Sequence, residues 1–142
     1  MNFDYIKVAS CSCTDWPLLS AIAKVNMPII VSTAGTMIED VDRVVSFFKN
    51  RKKDLTIMHC VGQYPTSEYD LQLNQISFLM ERYPTLRVGF STHEEPDNYE
   101  SVKIALGKGA TVFEKHVAVV TEKYSKNAYS STPDQVEKWL LA

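Results

Sequence analysis

The chain has 142 residues, 45% of them hydrophobic and 23% charged, with a formal net charge of −2, the profile of one globular domain. Five glycines and six prolines exclude collagen-like and low-complexity chains, and seventeen acidic against fifteen basic residues leave no electrostatic footprint for nucleic acid. No apolar run approaches the roughly 20 residues of a membrane span. The segment MNFDYIKVAS lacks a cationic stretch leading into an apolar run, so no secretory signal is expected. An odd count of three cysteines (Cys11, Cys13 and Cys60) fits reduced thiols in the cytoplasm.

Five short β-branched runs recur along the chain: Tyr5–Ser10, Pro28–Thr33, Leu55–Cys60, Leu86–Ser91 and Ala110–Lys115, with starts 23, 27, 31 and 24 residues apart. Helical spacing of apolar residues fills the gaps. Trp16, Leu18, Leu19, Ile22, Ala23 and Val25 mark a first helix. Met37, Val41, Val44, Val45 and Phe48 mark a second, with Thr36 and Glu39 spaced as a capping box at its start. Leu71, Leu73, Ile76, Phe78, Leu79 and Met80 mark a third, with a less clean apolar stripe, and a fourth runs from about Asn98 to Leu106 and stops at Gly107. A fifth opens with Thr132 as N-cap and Pro133 in the first turn. Strand–helix alternation at this period predicts an α/β fold of parallel βαβ units with right-handed crossovers. Both an open doubly wound sheet and a section of a (β/α)8 barrel satisfy it. Five units are too few for a closed barrel of about 250 residues.

The carboxyl ends of these strands carry the polar chemistry: Lys7 with Ser10, Ser32 with Thr33, His59, Ser91 with His93, and Glu114 with His116. Parallel strands bring all of these ends to one side, where α/β proteins bind their ligands. Each serine alone has a plainer role as a helix cap, and His59 alone reads as a core or rim histidine. Repetition at every strand favours a site. His93 and His116 sit at the ends of consecutive strands about 5 Å apart, within reach of one divalent cation acting as a Lewis acid on a carbonyl. Lys7 supplies charge for a phosphate, with Ser10, Ser32 and Ser91 as hydroxyl donors; its plain alternative is a rim lysine paired with a carboxylate. Cys11 and Cys13 lack a second Cys/His pair at zinc spacing and read as small, buried or half-buried residues.

The segments KVASCSCTDWPLL, PIIVSTAG, IMHCVGQYP, VGFSTH and FEKHV, in this order and spacing, resemble the catalytic barrel of the sialic acid (N-acetylneuraminate) synthase family. That family includes legionaminate and pseudaminate synthases and spore-coat polysaccharide protein E-like members. The resemblance covers Tyr5 to about Trp139. It implies condensation of phosphoenolpyruvate with an N-acylated amino sugar to a nonulosonic acid, releasing phosphate, with a divalent metal: manganese, or magnesium as the alternative. Carried onto this sequence, it implies that Lys7, Ser10, Ser32 and Ser91 hold phosphoenolpyruvate and that His93 and His116 bind the metal. Glu114, with these histidines, falls at the catalytic positions. Gln63, Tyr64 and Asn127 fall on the sugar side, Tyr64 and Pro65 matching the family's Tyr-Pro.

The sequence also departs from the family. Thr92 stands where the family has Asp in Ser-Asp-His, so a carboxylate beside the metal is expected to be missing, with the loop Glu94–Asn98 as its substitute. Asn127 stands where an aspartate is expected, and Gly62-Gln63 replace an Asn before the Tyr-Pro. The match corresponds to barrel strands four to eight, so residues 1–142 are expected to form a partial (β/α)8 TIM-barrel domain without the family's first three strands or its C-terminal antifreeze-like domain. Such an arc has two unpaired edges and an open inner face holding Ile30, Ile57, Val88 or their pleat neighbours, which predicts a homodimer. Two other classes fit the same rim: a non-catalytic module that binds an anion or sugar phosphate, and a different enzyme, either a metal-dependent hydrolase or a Schiff-base aldolase using Lys7 or Lys115.

Overall fold

The five β-rich runs form strands because each places β-branched or aromatic residues on the face covered by helices. In the computed structural model, which describes residues 3–142, these are β1 (Ile6–Val8), β2 (Ile29–Ser32), β3 (Leu55–Cys60), β4 (Arg87–Thr92) and β5 (Val112–Lys115). They alternate with α1 (Trp16–Ile22), α2 (Ile38–Lys49), α3 (Asn74–Arg82), α4 (Glu100–Gly107) and α5 (Pro133–Leu141), with single 3₁₀ turns at Ser10–Ser12 and Glu68–Asp70. Every strand pairing is parallel and the spatial order is β1-β2-β3-β4-β5. A doubly wound sheet reverses its strand order at a switch point. Here the order never reverses, so the sheet is an arc of barrel. Among the described residues no helix is long and apolar enough to cross a membrane.

The register decides which side chains share a face. Val8, Val31, Ile57 and Val88 align across four strands and lie buried with Val44, Phe48, Ile76 and Ala105 in the core between sheet and helices. Burying each such side chain contributes about 1.5–3 kcal/mol. Ile57 and Val88 therefore face the helices, not the inside of the arc. Strand residues alternate faces, so the inner face carries Lys7, Ile30 and Thr56, then Ser32, Met58, Gly89 and Val112, then Cys60, Ser91 and Glu114. Met58 lies across Gly89, where a Cβ would overlap the methionine sulfur and the Val112 carbonyl oxygen.

Two helix starts, those of α1 and α5, carry a side-chain cap at the N-cap residue; those of α2, α3 and α4 do not. Asp15 caps α1 by accepting from the Leu18 N–H at 3.1 Å. Thr132 and Gln135 form a reciprocal capping box on α5, with Pro133 in the first turn. The box expected at Thr36 and Glu39 does not form. Met37 is the N-cap of α2 and makes no side-chain cap bond, so Thr36 lies one residue too early; Glu39 and Asp40 instead sit in the first turn, where the helix dipole favours acids. The third helix begins at Asn74, after the 3₁₀ turn. Gly107 remains inside α4, and the chain turns at Gly109, whose φ of +98° suits glycine.

Candidate active site at the carboxyl rim

The carboxyl ends of the strands surround a cavity of about 380 Å³ lined by Lys7, Ser10, Ser32, Cys60, Tyr64, Ser91, His93, Glu114, Lys115 and His116. Its floor is polar because the last inner-facing row pairs Cys60 with Ser91 and Ser91 with Glu114. Glu114 anchors one wall: its Oε2 accepts from the Ser91 hydroxyl at 2.7 Å and lies 2.9 Å from Lys7 Nζ. Burial alone would raise the Glu114 pKa, but the Ser91 hydrogen bond and the Lys7 ammonium overcome it and hold the carboxyl below its ordinary range. Lys7 is thus a rim lysine paired with a carboxylate, and 29% of its side chain stays exposed to the cavity mouth.

The serines differ in what holds them. Ser10 Oγ accepts from the Ala34 N–H at 3.0 Å, tying the segment after β1 to the one after β2. Ser91 is engaged by Glu114. Ser32 Oγ is buried and has no hydrogen-bond partner, a hydroxyl left to meet whatever enters the cavity.

His93 and His116 face each other with ring centroids 5.1 Å apart. His93 Nδ1 donates to the Val61 carbonyl at 3.2 Å, which leaves Nε2 with a free lone pair. Burial pushes its pKa down, and the neighbouring His116 pushes the same way, so the imidazole is neutral at pH 7. Backbone bonds fix the residues themselves: the His93 carbonyl accepts from Thr66 N–H and the His116 carbonyl from Ser131 N–H, both at 2.9 Å. Among the described residues no group of three His, Cys, Asp or Glu side chains is close enough to enclose a metal. Two imidazoles fit a divalent cation whose other positions take oxygen from water or substrate, and do not fit a site closed by protein alone.

Of the remaining expected site residues, Tyr64 joins the cavity and His59, Gln63 and Asn127 go elsewhere. His59 sits at the end of β3 but on the opposite face from Cys60, stacked on Phe90 with centroids 5.9 Å apart and its Nε2 2.8 Å from the Leu71 carbonyl. It is a satisfied core histidine. Asn127 Oδ1 accepts from the backbone N–H groups of Tyr129 and Ser130 at 3.2 and 2.8 Å, so its side chain shapes a turn. That turn carries Tyr129, whose ring packs edge-on against His116 at 5.1 Å and His93 at 6.0 Å. Tyr64, preceding a cis-proline, stacks obliquely on His93 at 4.1 Å. Gln63 lines a neighbouring acidic cleft of about 570 Å³ with Glu68, Glu94, Glu95 and Asp97. Cys13 is buried as expected, whereas Cys11 is exposed.

Two expectations about charge need correction. Thr92 faces the helix side, in register with Lys115, so a carboxylate at position 92 would lie beside that lysine and not between the histidines. Glu94 does not turn toward the histidines either: its Oε1 lies 2.9 Å from Lys115 Nζ, in a pair only 1% and 3% exposed. Lys115 is thereby closed off as a Schiff-base nucleophile. Sequence reasoning missed this pair and the ring of Tyr129. The alternation of β5 carried the signal for the first, since it puts Lys115 opposite Glu114 and His116; no local pattern marked the second.

The comparisons with known proteins agree with this geometry. The NeuB family model matches residues 1–140. The chain is 32% identical over 139 residues to N-acetylneuraminate-9-phosphate synthase of Drosophila melanogaster, covering 96% of this chain and 37% of that protein. It is 35% identical over 118 residues to a pseudaminic acid synthase of Campylobacter jejuni, covering 81% and 34%. A crystal structure from Chromobacterium violaceum, described as a putative spore coat polysaccharide biosynthesis protein E, superposes with a TM-score of 0.95 at 52% identity, over 98% of this chain and 41% of that one. The chain thus spans well under half the length of these relatives. With the strand order, the rim chemistry and the family model in agreement, the chain belongs to the NeuB family.

Proposed function

We propose that residues 1–142 form the last five βα units of a (β/α)8 barrel and bear the phosphoenolpyruvate- and metal-facing side of a synthase site. The whole protein condenses phosphoenolpyruvate with an N-acylated amino sugar to a nonulosonic acid and phosphate. The observation that carries this reading is the convergence of Lys7, Ser32, Ser91, Glu114, His93 and His116 on one cavity. Lys7 offers the cation for the phosphate or carboxylate, and the unpartnered Ser32 hydroxyl offers a donor. Ser10 and Ser91 complete that wall. His93 Nε2 and His116 hold a divalent cation, manganese or magnesium, which supplies Lewis-acid polarisation of a carbonyl. Glu114, held as the carboxylate, orients Lys7 and Ser91 at the catalytic wall. Tyr64 and the Asn127 turn, which carries Tyr129, border the sugar side, with Gln63 on the adjoining acidic cleft. The free thiols fit the cytoplasm, and for residues 1–142 on their own the edges at β1 and β5 fit a homodimer.

Calorimetric titration of phosphoenolpyruvate into the wild type and the Lys7→Ala variant tests the reading. Loss of a charge-assisted hydrogen bond worth about 1.5–3 kcal/mol weakens binding about 10- to 150-fold. Equal affinity in the two proteins refutes the assignment of the anion to this wall.

A further inference from the structure

His93 and His116 are the first residues beyond the β4–β5 ladder. Its last paired position is Thr92 opposite Lys115, so sheet hydrogen bonds no longer hold the two histidines relative to each other. Directly after His93 comes Glu94, directly before His116 comes Lys115, and these two side chains meet at 2.9 Å, 1% and 3% exposed. The Ser101 hydroxyl donates to the same Glu94 oxygen at 2.9 Å, and the Trp139 ring lies 5.9 Å from the ammonium. On the inner face one residue earlier, Ser91 and Glu114 make the corresponding cross-strand bond. Two links, one on each face, therefore bracket the points where the chain leaves the ladder.

A buried ion pair is weak evidence for stability, because apolar residues of similar volume often serve as well; its attested use is to fix one geometry among several. We propose that Glu94 and Lys115 are positioning residues, a buried bridge that sets the spacing and facing of His93 and His116. The bridge extends the divalent-cation reading of those histidines, but its geometric content stands without the ion. Thr92 supplies a way to move the bridge: it faces Lys115 in register, and its buried Oγ1 has no partner. A carboxylate placed at position 92 reaches the same ammonium from the same strand.

The test compares three full-length chains: wild type, Glu94→Gln/Lys115→Met, and Thr92→Asp/Glu94→Gln. The first double variant removes both charges without stranding either. Two readouts are taken on each: ring-proton NMR of the histidines, shifted by the Tyr64 and Tyr129 rings, and Mn2+ affinity by electron paramagnetic resonance. The neutral pair is expected to fold, to lose the shifted histidine signals and to bind Mn2+ at least about tenfold more weakly, the range seen when residues supporting metal ligands are removed. The relocated carboxylate is expected to restore both. Wild-type signals and affinity in the neutral pair overturn the proposal, as does failure of the relocated carboxylate to restore them. Unfolding of both variants also overturns it, since the pair is then a folding element. If the wild type binds no Mn2+, the ion reading fails and the NMR comparison alone decides the bridge.

Discussion

Replacing Gly89 by alanine adds a methyl group where the inner face has no room for it. The new Cβ would overlap Met58 Sδ, at the flexible end of a side chain, and the Val112 carbonyl oxygen, which belongs to the β5 backbone. Met58 can swing aside into the open arc; the carbonyl cannot move without parting β4 from β5. Overpacking of this kind costs about 1–3 kcal/mol, and one weakened ladder hydrogen bond adds about 1 kcal/mol. The total, about 2–4 kcal/mol, is a large fraction of the ~5–15 kcal/mol that holds a domain together. For a chain of 142 residues, it corresponds to a fall in Tm of about 6–14 °C, from an unfolding entropy of about 2.1 cal/mol/K per residue. Thermal unfolding followed by circular dichroism measures it. Because Ser91 and Glu114 lie on the same two strands, the variant should also weaken anion binding. A Tm within about 2 °C of wild type would refute the close approach of Met58, Gly89 and Val112.

The other outcomes concern caps, pH and association. Thr132→Ala should cost about 0.5–2 kcal/mol by removing the α5 capping box, whereas Thr36→Ala should cost clearly less; equal losses in urea unfolding would contradict the observed caps. Burial holds His59 and His93 below the ordinary imidazole value of 6.5. Only the unfolded chain then takes up these protons, so stability is fully present above pH 6.5 and falls as pH drops below it. Glu114, held below the ordinary 4.5, adds a further loss at still lower pH. A urea midpoint that stays flat between about pH 7 and 5 would contradict the burial of both imidazoles. In residues 1–142 on their own, β1 and β5 each pair on one side only, so light scattering of that chain at low micromolar concentration should show self-association; a well-folded monomer that binds no apolar dye would exclude it.

How far the sequence could be read follows from the range of each interaction. Strand positions, parallel direction and the common rim were legible because period-2 and period-3.6 patterns report local burial. The choice of an arc over a doubly wound sheet came from the family resemblance and not from the periodicity, since strand order depends on long-range pairing that no local period encodes. Helix starts were legible where side chain and backbone agree, as at Thr132, and misleading at Thr36, where the spacing of a capping box falls outside the helix. His59 was placed correctly on the rim's edge but its direction needed the pleat: next to inward Cys60, it must face the helices. The Glu94–Lys115 pair lies 21 residues apart in sequence and becomes visible only once β4 and β5 are in register. Tyr129 reaches the histidines by a turn that Asn127 closes, a contact with no sequence signature.

The central claim is that one wall of the cavity takes an anion and the histidine pair takes a divalent cation. An anomalous difference map from a crystal soaked with MnCl₂ and phosphoenolpyruvate tests both at once. The account predicts a manganese peak within coordination distance of His93 Nε2 and a His116 ring nitrogen, with the phosphate or carboxylate within hydrogen-bonding reach of Lys7 and Ser32. Manganese found only in the acidic cleft of Glu68, Glu95 and Asp97, with the histidine pair empty, would contradict it.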